Sequence, residues 1–347
     1  MEVHWQLFRY QLPLYRPLSM LGAQHDCREG LLLRLEDSAG GIGWGEIAPL
    51  PGLHSESLTF CQEHLPTVLV NDQITSIAPS VRFGVDMAFR LLQASRDYPT
   101  PAAWVQPQPP RVPVNGLLPQ DESGLADECR RLTASGFQAV KLKVGLGTVE
   151  EAIARVQAVR EHLGPEVALR VDANASWSWE QACCFAEGTV DSAIAYCEEP
   201  LKNRENLAAL HEVTGLRLAL DEMLWQAPQE VKTYLAGLHA IILKPSVLGS
   251  WEATASWVEW AQQHKVEVVF SSAFESGMGT FWLAMMALLL SPNPQPCGLD
   301  PYSWLAEDVL TEPLLWEDGH LCLPQEWPTV DLSNLERLQG GRIHLRQ

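Results

Sequence analysis

Apolar and polar positions follow two different rhythms along this chain. From Val112 onward, short apolar runs of strand length recur, each followed by a stretch with helical spacing. They are VPVNGLL (112–118), AVKLKVG (139–145), ALRVDAN (168–174), AYCEEP (195–200), LRLALDE (216–222), AIILKP (240–245), VEVVFSSAFES (266–276) and PCGLD (296–300). Strands apolar on both faces and separated by helices predict a parallel sheet, since helices must cover each side of it. Eight such units predict a closed βα barrel. Helix starts recur on cue: Thr148 with Glu151 and Ser178 with Gln181 have capping-box spacing, Asn203 can cap the next helix, and Pro228 suits a first turn.

The first hundred residues read differently. VHWQLFRYQL (3–12) and GLLLRLED (30–37) have strand character, and the second turns through SAGG into IGWGEIAPL (42–50) as an antiparallel hairpin. Helical patterns follow near Glu56 to Val70 and Pro79 to Ala94. The polar stretches from Arg16 to Glu29 and over 50–57 read as loops able to cover a site. Six prolines between Pro99 and Pro113 mark a linker. Beyond Tyr302 the βα rhythm fades, and HLCLP (320–324) and GRIHLRQ (341–347) are expected to pair back onto the N-terminal module. The division expected is an α+β capping domain at 1–105, a barrel at 106–320 and a returning C-terminal segment at 321–347.

Composition narrows the partners. A formal charge of −19 would repel nucleic acid and anionic membranes. The eight cysteines show no CxxC and no framework spacing, so they read as thiols in a reducing cytoplasm. MEVHWQLFRY is no signal peptide, and the longest apolar run, FWLAMMALLL (281–290), is about half a membrane span. A cytoplasmic protein without membrane insertion is expected, as a monomer or a dimer.

The charged positions at the strand ends carry the chemistry. Lys143, Asp172, Glu198, Asp221 and Lys244 follow one another at steps of 29, 26, 23 and 23 residues, the length of a βα unit. Barrel closure would bring all five to one rim. Three carboxylates on adjacent strands cannot all ionise at close range without a cation among them. Asp172, Glu198 and Asp221 are hard oxygen donors, which favours Mg²⁺, with Mn²⁺ as a substitute, over Zn²⁺. Alternation allows only one of Glu198 and Glu199, and one of Asp221 and Glu222, to point inward. Strands two and six stand opposite each other, so Lys143 and Lys244 would face across a substrate. Burial beside Lys141 and the metal would draw the Lys143 amine from about 10.4 toward about 7 to 8, where it can act as a base. The arrangement suits removal of a proton α to a carboxylate. Arg170 and Asn174 share the inward face of Asp172, and Arg170 is read either as a substrate contact or as a buried counter-ion. A rival reading makes Lys244 the nucleophile of a Schiff-base aldolase.

The combination KLK, RVDAN, EEP, DE and LKP resembles the enolase superfamily, specifically its muconate-lactonizing subgroup. With GWGEIAPLPG (43–52), FSSAFESGMG (270–279) and GLD (298–300), nearly the whole chain is similar to the o-succinylbenzoate synthase family. That resemblance implies a modified (β/α) barrel with an N-terminal α+β capping domain. It implies syn elimination of water from 2-succinyl-6-hydroxy-2,4-cyclohexadiene-1-carboxylate in menaquinone or phylloquinone synthesis. Lys143 would be the base, Lys244 a permanent cation, and Lys141, Arg170, Ser271 and Ser272 would contact a small dicarboxylate substrate. N-acylamino acid racemases and dipeptide epimerases share the lysines and ligands and stand as alternatives. Dipeptide epimerases usually carry an Asp-x-Asp-type motif at strand eight, which PCGLDPY does not present.

Overall fold

Strand Ile42–Ile47 lies directly on the backbone of helix Pro79–Asp97, because its two inner positions carry no side chain. A Cβ on Gly45 would fall 1.8 Å from the Gly84 carbonyl oxygen, and one on Gly43 would fall 2.0 Å from that of Ala88. The strand is one edge of a four-stranded sheet in the order Glu336–His344, Glu2–Met20, Ala23–Asp37, Ile42–Ile47. Val3, Leu7, Leu31, Leu33, Leu35, Val81, Val85 and Leu92 make the core between sheet and helices. The computed structural model describes residues 2–20, 23–71, 77–105, 110–119, 124–231 and 236–344.

The stretch from Arg16 to Glu29, expected as a loop, is largely two paired strands. Strand Glu2–Met20 continues past Pro13, and Leu18 faces His25 and Ser19 faces Gln24 after a register shift. The alternating polar residues that suggested a loop belong to a two-stranded arm. The arm docks on the barrel where Ala306 donates its N–H to the Pro13 carbonyl at 2.9 Å. Leu21 and Gly22 lie outside the described residues, as do positions 106–109 of the proline-rich linker and 120–123 before helix Leu125–Ala134.

Seven parallel strands form the second sheet: Asn115–Leu117, Ala139–Lys143, Ala168–Asp172, Ile194–Glu198, Leu218–Leu220, Leu238–Leu243 and Glu267–Phe270, adjacent in chain order. Closure comes from the short eighth segment. Cys297 donates to the Pro113 carbonyl and Gly298 to that of Phe270, each at 2.8 Å, while Asn115 donates to Cys297 at 2.9 Å. Both expected capping boxes form, at Thr148 with Glu151 and at Ser178 with Gln181. Helix Gly277–Leu290 is buried from Gly277 to Leu288, which accounts for its lack of any polar face.

The C-terminal segment differs from expectation in one place. His320–Cys322 pairs with Arg111–Pro113 beside the barrel, and it is Glu336–His344 that pairs with the N-terminal strand. A three-residue strand carries too little pattern to name its partner. Among the described residues no helix is long and apolar enough to cross a membrane.

Candidate active site

Strand register brings the charged side chains to one level. Lys143 stands beside Asp172 and Asp172 beside Glu198, while two residues earlier Lys141 pairs with Arg170 and Arg170 with Tyr196. Alternation puts all six on the lumen face and sends Val140, Leu142, Leu169, Val171 and Cys197 under the helices. Below the mouth, Tyr196, Ala219, Ala240, Ile242 and Val269 fill the lumen.

The lysines are paired unequally. Lys141 Nζ lies 2.8 Å from Asp172 Oδ2 and 2.7 Å from Glu198 Oε1. Lys244 Nζ donates to Asp221 Oδ2 and sits 5.4 Å from the centre of the Trp225 ring. Lys143 forms no ion pair among the described residues. Its strand is four places from that of Lys244 in the sheet, so in a closed ring of eight the two stand on opposite walls.

Burial opposes every charge here, and the neighbours decide which survive. Burial would raise the Asp172 carboxyl, but the Lys141 and Lys143 ammoniums outweigh it and hold the group at about 2. Burial, then the charges of Asp172 and Asp221, push Glu198 well above the usual carboxylate range despite Lys141. Burial favours neutral amines at Lys141 and Lys244, yet the surrounding carboxylates prevail and raise both, so each stays charged.

This donor set fits a hard divalent cation. Asp172, Glu198 and Asp221 are almost wholly buried, and Asp221 Oδ1 has no hydrogen-bond partner among the described residues. A dication among them would relieve the repulsion that raises Glu198. Among the described residues no three His, Cys, Asp or Glu side chains already converge on one point. Lys141 and Lys244 instead hold an oxygen of each acid.

Arg170 is buried, donates to Asn115 Oδ1 at 2.8 Å and to the Pro296 carbonyl at 2.5 Å, and lies 5.4 Å from the Tyr196 ring centre. It thus braces the first and eighth strands while adding positive charge to the lumen. Ser271 and Ser272 follow strand Glu267–Phe270, and the Ser272 hydroxyl is buried without a partner among the described residues. Asn174 turns in a left-handed conformation with its N–H on Asp172 Oδ1 at 2.9 Å. His25 lines a separate cavity of about 160 Å³ in the cap with Leu18, Arg28, Leu50 and Glu56.

Strict alternation fails just past the strand ends. Glu199 takes a φ of 42° and folds back, accepting the N–H groups of Asp221 and Met223 on one oxygen at 3.0 Å each. Glu222 is partly buried, with Oε2 shielded and unpartnered among the described residues, and burial and the Asp221 charge push its carboxyl up to about 7. Three further residues escaped the sequence: Arg28, Glu46 and Glu275, all buried where the cap meets the barrel. Charged residues inside strong apolar context, such as the glutamate of GWGEI, were the available signal.

Comparison with known proteins agrees with this geometry. Residues 124–327 match the family model "Enolase C-terminal domain-like", and residues 3–92 match "MenC, N-terminal domain". The o-succinylbenzoate synthase of Edwardsiella ictaluri is 33% identical over 326 residues, covering 90% of this chain and 96% of that protein. The chain belongs to the o-succinylbenzoate synthase family of the enolase superfamily. Protein PHYLLO, chloroplastic, of Arabidopsis thaliana is also 33% identical, over 83% of this chain, which spans 20% of that longer protein. Among solved structures, the muconate lactonizing enzyme from Pseudomonas fluorescens superposes with a TM-score of 0.83 at 21% identity over 95% of this chain and 96% of its own. A dipeptide epimerase from Enterococcus faecalis, solved with Mg and a dipeptide, gives 0.80 at 21% identity, over 94% and 98%. These two share the enolase-superfamily fold, a βα barrel with an antiparallel cap.

Proposed function

We propose that this family member is itself an o-succinylbenzoate synthase, removing water from 2-succinyl-6-hydroxy-2,4-cyclohexadiene-1-carboxylate in menaquinone or phylloquinone synthesis. The observation that carries the mechanism is the unequal pairing of two opposed lysines: Lys244 is bound to Asp221, and Lys143 forms no ion pair among the described residues. Lys143 takes the proton α to the carboxylate, and the electrons left behind flow toward that carboxylate. Lys244, held charged, stabilises the negative charge that develops there. The Lys143 ammonium then returns its proton to the hydroxide leaving from the same face, which departs as water as the ring becomes aromatic.

Asp172, Glu198 and Asp221 are the residues assigned to hold Mg²⁺ or Mn²⁺, which when bound supplies a fixed positive charge for the substrate carboxylate. Lys141 and Arg170 add positive charge, and the unpartnered Ser272 hydroxyl with Ser271 offers hydrogen bonds. That balance suits a small dicarboxylate. An ion-paired, charged Lys244 is a poor nucleophile, which argues against the aldolase reading. All eight cysteines are free thiols, in keeping with a cytoplasmic location.

The test is turnover of the cyclohexadiene substrate by purified protein with Mg²⁺, followed as formation of the aromatic product. Absence of product, with racemisation of N-acylamino acids or epimerisation of dipeptides instead, would replace this reading by one of its superfamily alternatives.

A further inference from the structure

We infer that Glu275 is a positioning residue that locks Lys244 and Ser272 in place relative to each other, within a turn that the cap holds from outside. The inference rests on the function proposed above. Glu275 is 2% exposed and carries no salt bridge among the described residues. Its Oε1 accepts from the Ser246 hydroxyl at 2.7 Å, and its Oε2 accepts from the Ala273 N–H at 2.6 Å.

Each partner abuts a site residue. Ser246 lies in the one-turn helix Pro245–Leu248, which begins directly after Lys244 and returns the N–H groups of Val247 and Leu248 to the Lys244 carbonyl at 2.9 and 3.0 Å. Ala273 follows Ser272, whose own N–H is held by the Gly298 carbonyl at 3.0 Å. One carboxylate therefore spans the turns after the sixth and seventh barrel strands. Moving either turn would move an amine or a hydroxyl that the reaction needs within a fraction of an ångström.

The cap holds the same turn from outside. Arg28 donates to the Phe274 carbonyl at 2.8 Å, and its remaining contacts on the cap side are the carbonyls of Ala48, Pro49 and Glu29. Phe274 is fixed at a φ of 62°, a left-handed conformation that a bulky residue keeps only when its surroundings impose it. Glu46 completes the junction by accepting the N–H groups of Ser276 and Gly279, each at 2.8 Å. A guanidinium facing carbonyls and a carboxylate facing N–H groups make a junction specific to one geometry.

The experiment compares wild type with Ser246→Ala, Glu275→Leu, which removes both acceptors, and the double variant, measuring kcat and KM for the cyclohexadiene substrate alongside Tm. Because the link orients the groups that stabilise the transition state, kcat should fall between about 10- and 100-fold in either single variant, with KM little changed. The double variant should be no slower than the slower single one, since both break one link. Ser246→Ala removes only a hydroxyl, and it keeps the test decisive if Glu275→Leu does not fold. A folded Ser246→Ala enzyme with kcat within about twofold of an active wild type, or with losses that multiply in the double variant, overturns the inference. A wild type without turnover would instead sink the function reading itself.

Discussion

Lys141 Nζ stands 2.8 Å from Asp172 Oδ2, and Lys143, on the same face of the same strand, acts on Asp172 by its charge but forms no ion pair among the described residues. Two lysines that sequence alternation treats as equivalent are thus distinct in the fold. Lys141 is committed to two acids, and Lys143 retains a nitrogen for chemistry.

Arginine at position 143 keeps a positive charge but stays protonated, so it cannot accept a proton. Lys143→Arg should lose at least about 10²-fold in kcat with substrate binding less affected. Lys244→Arg, which preserves the charge facing Asp221, should be the milder change. Steady-state kinetics on both variants decide it, and a Lys143→Arg enzyme within about tenfold of wild type removes Lys143 as the base.

Exhaustive chelation should abolish turnover, and Mg²⁺ or Mn²⁺ should restore it, because three buried acids need a cation. Asp221→Asn should cost more metal affinity than Glu222→Gln, as Asp221 is buried beside Lys244 whereas Glu222 is only partly buried. Titration with Mn²⁺ followed by electron paramagnetic resonance measures both. Equal losses would show that Glu222, which stands beside the site, also binds the ion.

Asp37 supplies a pH test away from the site. Burial would raise its carboxyl, but Arg96 at 2.9 Å and the N–H groups of Gly41 and Ala39 lower it below its ordinary value. A depressed folded value means the contribution to stability is full above the unfolded value near 3.9 and is lost as pH falls through the folded one. Asp37→Asn should cost about 1.5 to 3 kcal/mol at neutral pH, the range for hydrogen bonds to a charged group. The gap to wild type in denaturant melts should narrow below about pH 4. A gap constant with pH would show that the carboxylate charge contributes nothing.

Gly45→Ala tests the contact between cap strand and helix. Its Cβ would overlap the Gly84 carbonyl, and backbone cannot yield as a side chain does. A loss of at least about 1 to 3 kcal/mol is expected from overpacking, read as a lowered Tm. An unchanged Tm would mean that the strand and helix can part at no cost.

The barrel was legible because strands buried on both faces leave long apolar runs, and a repeat of one βα unit places Lys143, Asp172, Glu198, Asp221 and Lys244 at matching points of successive strands. Period-two alternation also assigns Arg170 to the lumen, whatever closes around it. Alternation ends where the strand ends, so Glu199 and Glu222 escaped it: the φ of 42° at Glu199 belongs to a turn shaped by Asp221 and Met223. The paired arm at 13–27 was read as a loop, since backbone hydrogen bonds between partly solvated strands leave little mark on residue type. Arg28, Glu46 and Glu275 meet only when cap and barrel dock, and 246 positions separate Arg28 from its acceptor on Phe274. The sequence by itself determined which residues line the mouth, because that follows from local period and repeat length. Which lysine is paired, and which buried acids join the two domains, depends on distances between segments remote in the chain, and only the tertiary structure decided them.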